Sequence, residues 1–322
     1  MKAIAPTIPQ LFLTRVALTP DRVAYWSPLD PGWNAHPWRQ VAERVRAIAG
    51  GLRALGLAPE QRCALLSGTR LEWMVADLGV LCAGGATTTI YPSNTAEETA
   101  FIISDSGSAF VFAENATQLR KLTERRAELP HVKKVILFEG GAGDDGWSMS
   151  LDALEALGRE TDARDPQVFE ATARAVRPDA LATLIYTSGT TGRPKGVELT
   201  HDCWVYEAEG VDGLGILREE DVQYFWLPLA HSFGKMFQTV QMRIGFPTAL
   251  DGRMEKLLEN LSSVRPTFVA AVPRVFEKVR NGVMGAATKS GGVRSAIFER
   301  AMDVGHRVAA LRRENRRVPP LL

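Results

Sequence analysis

Apolar residues along this chain fall into two kinds of run, short continuous ones and longer ones spaced by threes and fours. The clearest of the second kind holds Trp38, Val41, Val45, Ile48, Leu52 and Leu55. That spacing places them on one face of a helix. Arg39, Glu43, Arg44, Arg46 and Arg53 fall outside the stripe, and Gly56 stands where a left-handed cap belongs. The stripe reads as a core-packing face with a solvated back. Before it, Ile8–Leu18 reads as a short helix, Arg22–Trp26 as a strand and Asp30–Pro37 as a turn-rich loop.

After it, strands and helices alternate. Cys63–Leu66, Ala86–Ile90, Ala109–Ala113 and Val132–Phe138 read as strands. Thr69 with Glu72, and Thr95 with Glu98, match the capping-box spacing for the helices that follow them, the second running through Ser104. Ala116–Leu129, Leu151–Arg159 and Asp165–Arg174 read as further helices, and Leu181–Tyr186 as a strand. Beyond it the pattern predicts helices over His201–Leu217, Glu255–Val264, Pro273–Lys289 and Val293–Arg316, the last two separated by Gly291 and Gly292. Gln223–Leu227, Phe246–Leu250 and Phe268–Val272 read as strands. Such alternation argues for mostly parallel sheets with helices on their faces. Ligands bind such sheets at the carboxyl ends of strands, which marks the loops after Tyr186, Leu227 and Val272.

The 322 residues are 45% hydrophobic, enough for a sizeable core in two lobes. Lys and Arg total 38 against 37 acidic residues, a net charge of +1 that argues against a nucleic-acid or acidic partner. The three cysteines, Cys63, Cys82 and Cys203, form no CxxC pair and suit a reducing cytoplasm. The N-terminus has no signal-peptide core, and no apolar run is long enough to span a bilayer.

Chemistry concentrates after Tyr186, where the chain reads Thr187, Ser188, Gly189, Thr190, Thr191, Gly192, Arg193, Pro194, Lys195, Gly196 before apolar residues return at Val197 and Leu199. A strand enters this loop and a second strand leaves it. The glycines let the backbone approach a ligand and turn its N–H groups inward. The hydroxyls can donate to phosphate oxygens, and Lys195 adds a flexible point charge. Phosphate uses all three. A Walker loop needs glycine before its lysine and Ser or Thr after it; Pro194 and Gly196 hold those places. A second glycine pattern, Gly141–Gly146, satisfies GxGxxG, but Asp144 and Asp145 inside it would repel a pyrophosphate, so it reads as an acidic surface loop. No zinc spacing, HExxH or GxSxG elbow occurs.

From Tyr186 to Val197 the sequence resembles the signature loop of the acyl-adenylating (AMP-binding) superfamily, which includes acyl-CoA synthetases, luciferases and peptide-synthetase adenylation domains. Leu227–Gln238 resembles that superfamily's second core motif, whose histidine lies beside the acyl carboxylate. By that resemblance His231 positions substrate; the plainer reading is a helix-start histidine bonded to backbone. Ala271–Val279 and Pro92–Ser106 resemble long-chain fatty acyl-CoA synthetases. Some of those carry a tryptophan gate four residues after the motif histidine, where this chain has Lys235; Phe233 or Phe237 could serve instead, or simply pack.

The resemblance implies an α/β fold of two mostly parallel sheets flanked by helices, as in the N-terminal domain of acyl-adenylating enzymes. One lobe is expected over 59–200 and the other over 8–58 and 201–322. It also implies ATP-dependent activation of a long-chain fatty acid to acyl-adenylate and then acyl-CoA, with ATP, Mg²⁺ and coenzyme A taking part. Lys195 and His231 are the implied catalytic residues. Thr187, Ser188, Gly189, Thr190, Thr191, Gly192 and Lys195 are the implied nucleotide contacts, and Thr187 the implied magnesium contact. No tyrosine-glycine…threonine-glutamate motif occurs here, and the family's ribose-binding aspartate and small C-terminal domain would lie past Leu322. The chain is therefore expected to be the N-terminal portion of such a ligase, inactive alone; a nucleotide-binding module without turnover and an unrelated NTPase are the alternatives. Arg307, Arg312, Arg313, Arg316 and Arg317 cluster near the end, partly offset by Glu299, Asp303 and Glu314. They read as a solvated helix face, with a weak peripheral membrane contact or nucleic-acid patch as the alternative. A homodimer stays open.

Overall fold

Strands and helices alternate along the chain as the hydrophobic pattern requires. The computed structural model describes residues 5–141, 146–187, 193–289 and 292–319. Helix α1 (Ile8–Leu18) leads into β1 (Val23–Pro28), β2 (Trp33–Pro37) and α2 (Trp38–Ala54). Then come β3 (Arg62–Leu66), α3 (Leu71–Cys82), β4 (Ala86–Ile90), α4 (Ala96–Ser106), β5 (Phe110–Ala113), α5 (Ala116–Glu124), β6 (Lys134–Leu137) and β7 (Ser148–Ser150). Helices α6 (Leu151–Arg164) and α7 (Val168–Ala175) precede the hairpin of β8 (Leu181–Thr187) and β9 (Lys195–Thr200). After it run α8 (His201–Gly213), β10 (Gln223–Phe225), α9 (Ser232–Ile244), β11 (Thr248–Leu250), α10 (Leu257–Val264), α11 (Pro273–Lys289) and α12 (Gly292–Arg313).

Seven strands form one sheet in the order β7-β6-β5-β3-β4-β8-β9, parallel throughout except for the β8–β9 hairpin. Four form a second, β10-β11-β1-β2, in which β1 and β2 run antiparallel. The expected fold class is borne out: α/β, with two largely parallel sheets flanked by helices. The chain divides into two compact units. Met1–Val269 contains both sheets, and Ala270–Leu322 contains α11 and α12.

Two buried helices carry the polar contacts that join the sheets. In α3 every residue but Glu72 is buried. Its Met74 carbonyl accepts from Gln238 Nε2 of α9 at 3.4 Å, and Gln241 Nε2 of α9 donates to the Ala24 carbonyl of β1 at 2.6 Å. The Arg15 guanidinium closes the far end of α9 by donating to the Met242 and Arg243 carbonyls at 2.8 and 2.9 Å. A cation there satisfies orphan carbonyls and suits the helix dipole.

The predicted stripe of α2 is confirmed from Trp38 to Leu52: Trp38, Val41, Val45, Ile48 and Leu52 are buried, whereas its last member, Leu55, is the C-cap and only half-buried, and Gly56 takes φ +81° past the helix end. A second face of α2, made of Ala47, Gly50 and Gly51, also packs closely, against Leu154 and Gly158 of α6. The capping box of α4 forms as expected. Thr95 Oγ1 accepts from the Glu98 N–H at 3.2 Å, and Glu98 Oε2 accepts from the Thr95 N–H at 2.8 Å.

Several expectations are corrected. Thr69 and Glu72 form no capping box. The Thr69 hydroxyl instead donates to the Leu227 carbonyl at 2.6 Å, and Glu72 binds Arg70, the N-cap residue of α3. The loop expected over Asp30–Pro37 contains β2, whose pairing with β1 supplies the hydrogen bonds that loop residues would lack. The helix expected over Ala116–Leu129 stops at Glu124, with a 3-10 turn at Arg126–Glu128. The strand expected over Phe268–Val272 does not form. Phe268 makes one bridge, to Gln223, and its ring packs on Phe237 and Phe246. The glycine pattern at Gly141–Gly146 lies largely outside the described residues; Gly141 and Gly146 themselves are exposed.

Candidate active site

Strand β8 is buried from Ala182 to Ile185 and emerges into solvent at Tyr186 and Thr187. Strand β9 returns along it at the sheet edge, pairing Lys195 with Thr187 and Gly196 with Tyr186. Both Thr187 and Lys195 are exposed. Of the predicted phosphate loop these two are placed, at the carboxyl end of β8 and facing each other across the hairpin. Ser188, Gly189, Thr190, Thr191 and Gly192 lie outside the described residues.

The base of the hairpin is clamped to α4. Tyr186 Oη donates to Asp105 Oδ2 at 2.6 Å, and its ring meets Phe101 edge-on at 6.5 Å. The Arg193 guanidinium also lies over the Phe101 ring, 5.7 Å from its centroid. Burial, then the Asp105 carboxylate, push the Tyr186 phenol far above its ordinary pKa, so it stays a neutral donor. Gly196 lies close under this ring: a Cβ there would lie 3.1 Å from Tyr186 Cζ, and the ring would have to give by a few tenths of an ångström.

His231 follows the tight Pro228-Leu229-Ala230 turn and caps α9. Its Nδ1 accepts from the Phe233 N–H at 3.2 Å. The plainer reading of this residue, a histidine bonded to backbone at a helix start, is thus correct as geometry. It also has a chemical consequence: with Nδ1 an acceptor, the neutral ring carries its proton on Nε2. His231 is exposed, so that donor is available to a ligand. Gly234 lets the turn close, since a Cβ there would come within 2.2 Å of the Pro228 carbonyl oxygen.

The fold brings the hairpin and the histidine to one edge. The Ala230 carbonyl, adjacent to His231, accepts from Thr89 Oγ1 of β4 at 3.1 Å. Thr89 is the register partner of Ile185 on β8. Thr187 lies two residues further on, about 7 Å along the strand. Next to His231, between α8 and α9, is a mostly apolar cavity of about 490 Å³, lined by Leu199, Trp204, Tyr206, Phe233 and Met236 and also by Glu207 and Ser232.

A model of the family described as AMP-binding enzyme matches residues 12–312. The chain belongs to the AMP-binding enzyme family. This AMP-binding chain is 33% identical over 274 residues to long-chain-fatty-acid–CoA ligase FadD15 of Mycobacterium bovis, covering 84% of itself and 44% of that protein. It is 31% identical to long-chain-fatty-acid–CoA ligase ACSBG2 of Xenopus laevis, covering 93% of itself and 41% of that protein. It therefore spans less than half the length of these curated relatives. Among solved structures, the anthranilate CoA ligase AuaEII in complex with anthranoyl-AMP superposes with a TM-score of 0.72 at 20% identity, over 83% of this chain and 50% of that one. The N-terminal domain of FACL13 from Mycobacterium tuberculosis superposes with a TM-score of 0.70 at 23% identity, over 85% of this chain and 64% of that one.

Sequence reasoning missed the role of Lys235. It is no surface gate position: its side chain is 1% exposed and its Nζ lies 2.5 Å from Asp77 Oδ1, with Asp77 fully buried. The Trp73 and Trp204 rings flank the ammonium at 5.4 and 5.9 Å. Its spacing of four from His231 was a signal that the two share a helix face, but nothing near Asp77 in sequence announced the partner. Of the other gate candidates, Phe233 lines the cavity, whereas Phe237 packs on Phe233 and Phe268. The arginine cluster in and after α12 is exposed, with Arg307 paired to Asp303 and Arg316 to Glu314.

Proposed function

We propose that this chain is part of a long-chain fatty acid–CoA ligase, in which the β8–β9 hairpin holds the triphosphate of ATP and His231 the acyl carboxylate. The observation that carries this reading is the Thr89–Ala230 hydrogen bond, which holds the turn before His231 against β4, the neighbour of the strand that ends in the hairpin. The names of the curated relatives favour a fatty-acid substrate. The apolar cavity next to His231 is where the hydrocarbon chain would lie.

In this reading a carboxylate oxygen attacks the α-phosphorus of ATP and pyrophosphate departs with the electrons of the broken P–O bond. The thiol of coenzyme A then attacks the acyl carbon and AMP leaves. The carboxylate is already a nucleophile, so the first step needs no general base. Its barrier is the approach of two anions and the charge on the departing pyrophosphate. Lys195 offsets that charge. The hydroxyls of Thr187, Ser188, Thr190 and Thr191 and the backbone N–H groups around Gly189 and Gly192 bind phosphate oxygens, and the His231 Nε2–H orients the carboxylate.

Among the described residues no three His, Cys, Asp or Glu side chains gather where they could hold a metal. Thr187 offers an exposed hydroxyl oxygen, which fits Mg²⁺ carried mainly by phosphates and water. When bound there it would supply positive charge against the phosphates. We assign the lobes of Met1–Val269 to 59–200 and to 8–58 with the residues after 200, and the compartment to the cytoplasm. The free thiols of Cys63, Cys82 and Cys203 agree with the latter. Among the described residues no helix is long and apolar enough to cross a membrane.

The test is ATP binding by calorimetry together with ATP–pyrophosphate exchange in the presence of palmitate. The chain is expected to bind ATP, and Lys195→Ala to weaken binding roughly tenfold or more, the worth of one charged hydrogen bond. Exchange by the chain alone is not expected, because the tyrosine-glycine…glutamate motif of the family is missing from its sequence. Exchange that disappears in Lys195→Ala would show turnover without that motif. Failure to bind ATP would remove the hairpin from the reading, and binding without any response to Lys195→Ala would favour a different nucleotide site.

A further inference from the structure

A buried chain of polar contacts connects the sheet that carries the hairpin to the turn that carries His231. It starts on β4, the neighbour of β8. Thr87 Oγ1 donates to Asp77 Oδ1 of α3 at 2.9 Å. The same carboxylate oxygen accepts from Lys235 Nζ of α9 at 2.5 Å. The Lys235 backbone N–H then donates to the His231 carbonyl at 3.0 Å, one helical turn back. Every side chain in this path is buried, and Asp77 and Lys235 form an ion pair at 0% and 1% exposure.

Such a pair is poorly explained as a source of stability. Removing two charges from water is expensive, and apolar residues of similar volume often do as well or better. The surroundings sharpen the point. Asp77 Oδ2 has no hydrogen-bond partner, and Lys235 has tryptophan rings in place of further acceptors. What the pair does provide is geometry. Lys235 is fixed in the first turn of α9, so anchoring its ammonium on α3 sets the rotation and height of that turn. His231 is the cap of the same turn.

We infer that Asp77 and Lys235 are positioning residues, whose ion pair holds His231 in register with the strand that ends in the phosphate hairpin. The structural half of this inference stands on the contacts above. Its consequence for ligands rests on the proposed role of His231.

The experiment reads the His231 ring directly, by ¹⁵N–¹H correlation of the full chain with His231→Gln to assign the signal. The unsubstituted chain is expected to show one tautomer, protonated on Nε2. In Asp77→Leu/Lys235→Met, which removes both charges and keeps apolar volume, the ring signals should shift and the tautomers mix. Should that variant not fold, Asp77→Glu decides the matter: it keeps the charge, lengthens the arm by one methylene and should displace the same signals. A folded variant with an unchanged His231 signal overturns the inference. The second readout is affinity for a palmitoyl-adenylate mimic, which engages both halves of the site at once. It should fall by up to about 100-fold, while affinity for ATP alone holds. A mimic that does not bind the unsubstituted chain sinks the ligase reading, and the histidine signal still decides the ion pair.

Discussion

His201, the first residue of α8, is 1% exposed and its Nδ1 has no hydrogen-bond partner. Burial, and then the nearby Lys235 charge, lower its pKa from 6.5 to about 4. The unfolded chain therefore binds a proton that the folded chain refuses between those two values. Stability is complete above pH 6.5 and falls as the pH drops towards 4, by roughly 3 kcal/mol in all. His201→Leu should flatten that part of the acid limb, which urea midpoints at a series of pH values would reveal; an unchanged slope would rule out His201 as its source. Single residues were legible in the sequence where their chemistry is local. Lys195 stood out by following a run of glycine and hydroxyl residues, and His231 by following a strand-end proline. The role of Lys235 was not legible, because its partner, Asp77, lies 158 positions away.

Helices α2 and α6 cross at glycine. A Cβ on Gly158 would sit 1.7 Å from the Ala47 carbonyl oxygen, and one on Gly51 would sit 2.4 Å from that of Leu154. Backbone cannot yield locally as a side chain end can, so the helices would have to separate. Gly158→Ala is expected to destabilise the chain by roughly 3 kcal/mol, at the upper end for an overpacked site, read as a lower urea midpoint. Gly56→Ala tests a different cause, because its site is open and only its positive φ resists the substitution. The apolar stripe of α2 was visible from its period, yet this second contact face was not. Small residues leave no hydrophobic signal, and their meaning depends on what approaches them. The same reasoning explains Thr69. Its spacing from Glu72 suited a cap, but the helix starts one residue later, with Arg70 at the N-cap and Glu72 paired to Arg70.

Met1–Val269 contains both sheets and the candidate site, while Ala270–Leu322 forms a compact unit of its own. A chain ending at Val269 is accordingly expected to fold and to unfold in one cooperative step, measured by circular dichroism and calorimetry together; non-coincident transitions would contradict this. Alternating strand and helix periods, the caps of α2 and α4 and the β8–β9 hairpin could all be read from the amino-acid order, because each depends on residues within a few positions of one another. The order of strands within each sheet, the bond that brings Ala230 to β4, the glycine crossing of α2 and α6 and the Asp77–Lys235 pair could not. Each joins segments far apart along the chain, and periodicity carries no record of which distant surface will meet it. The run of glycine and hydroxyl residues after Tyr186 was written locally, but the placing of the turn before His231 against β4 came from the packing of segments far apart in the chain.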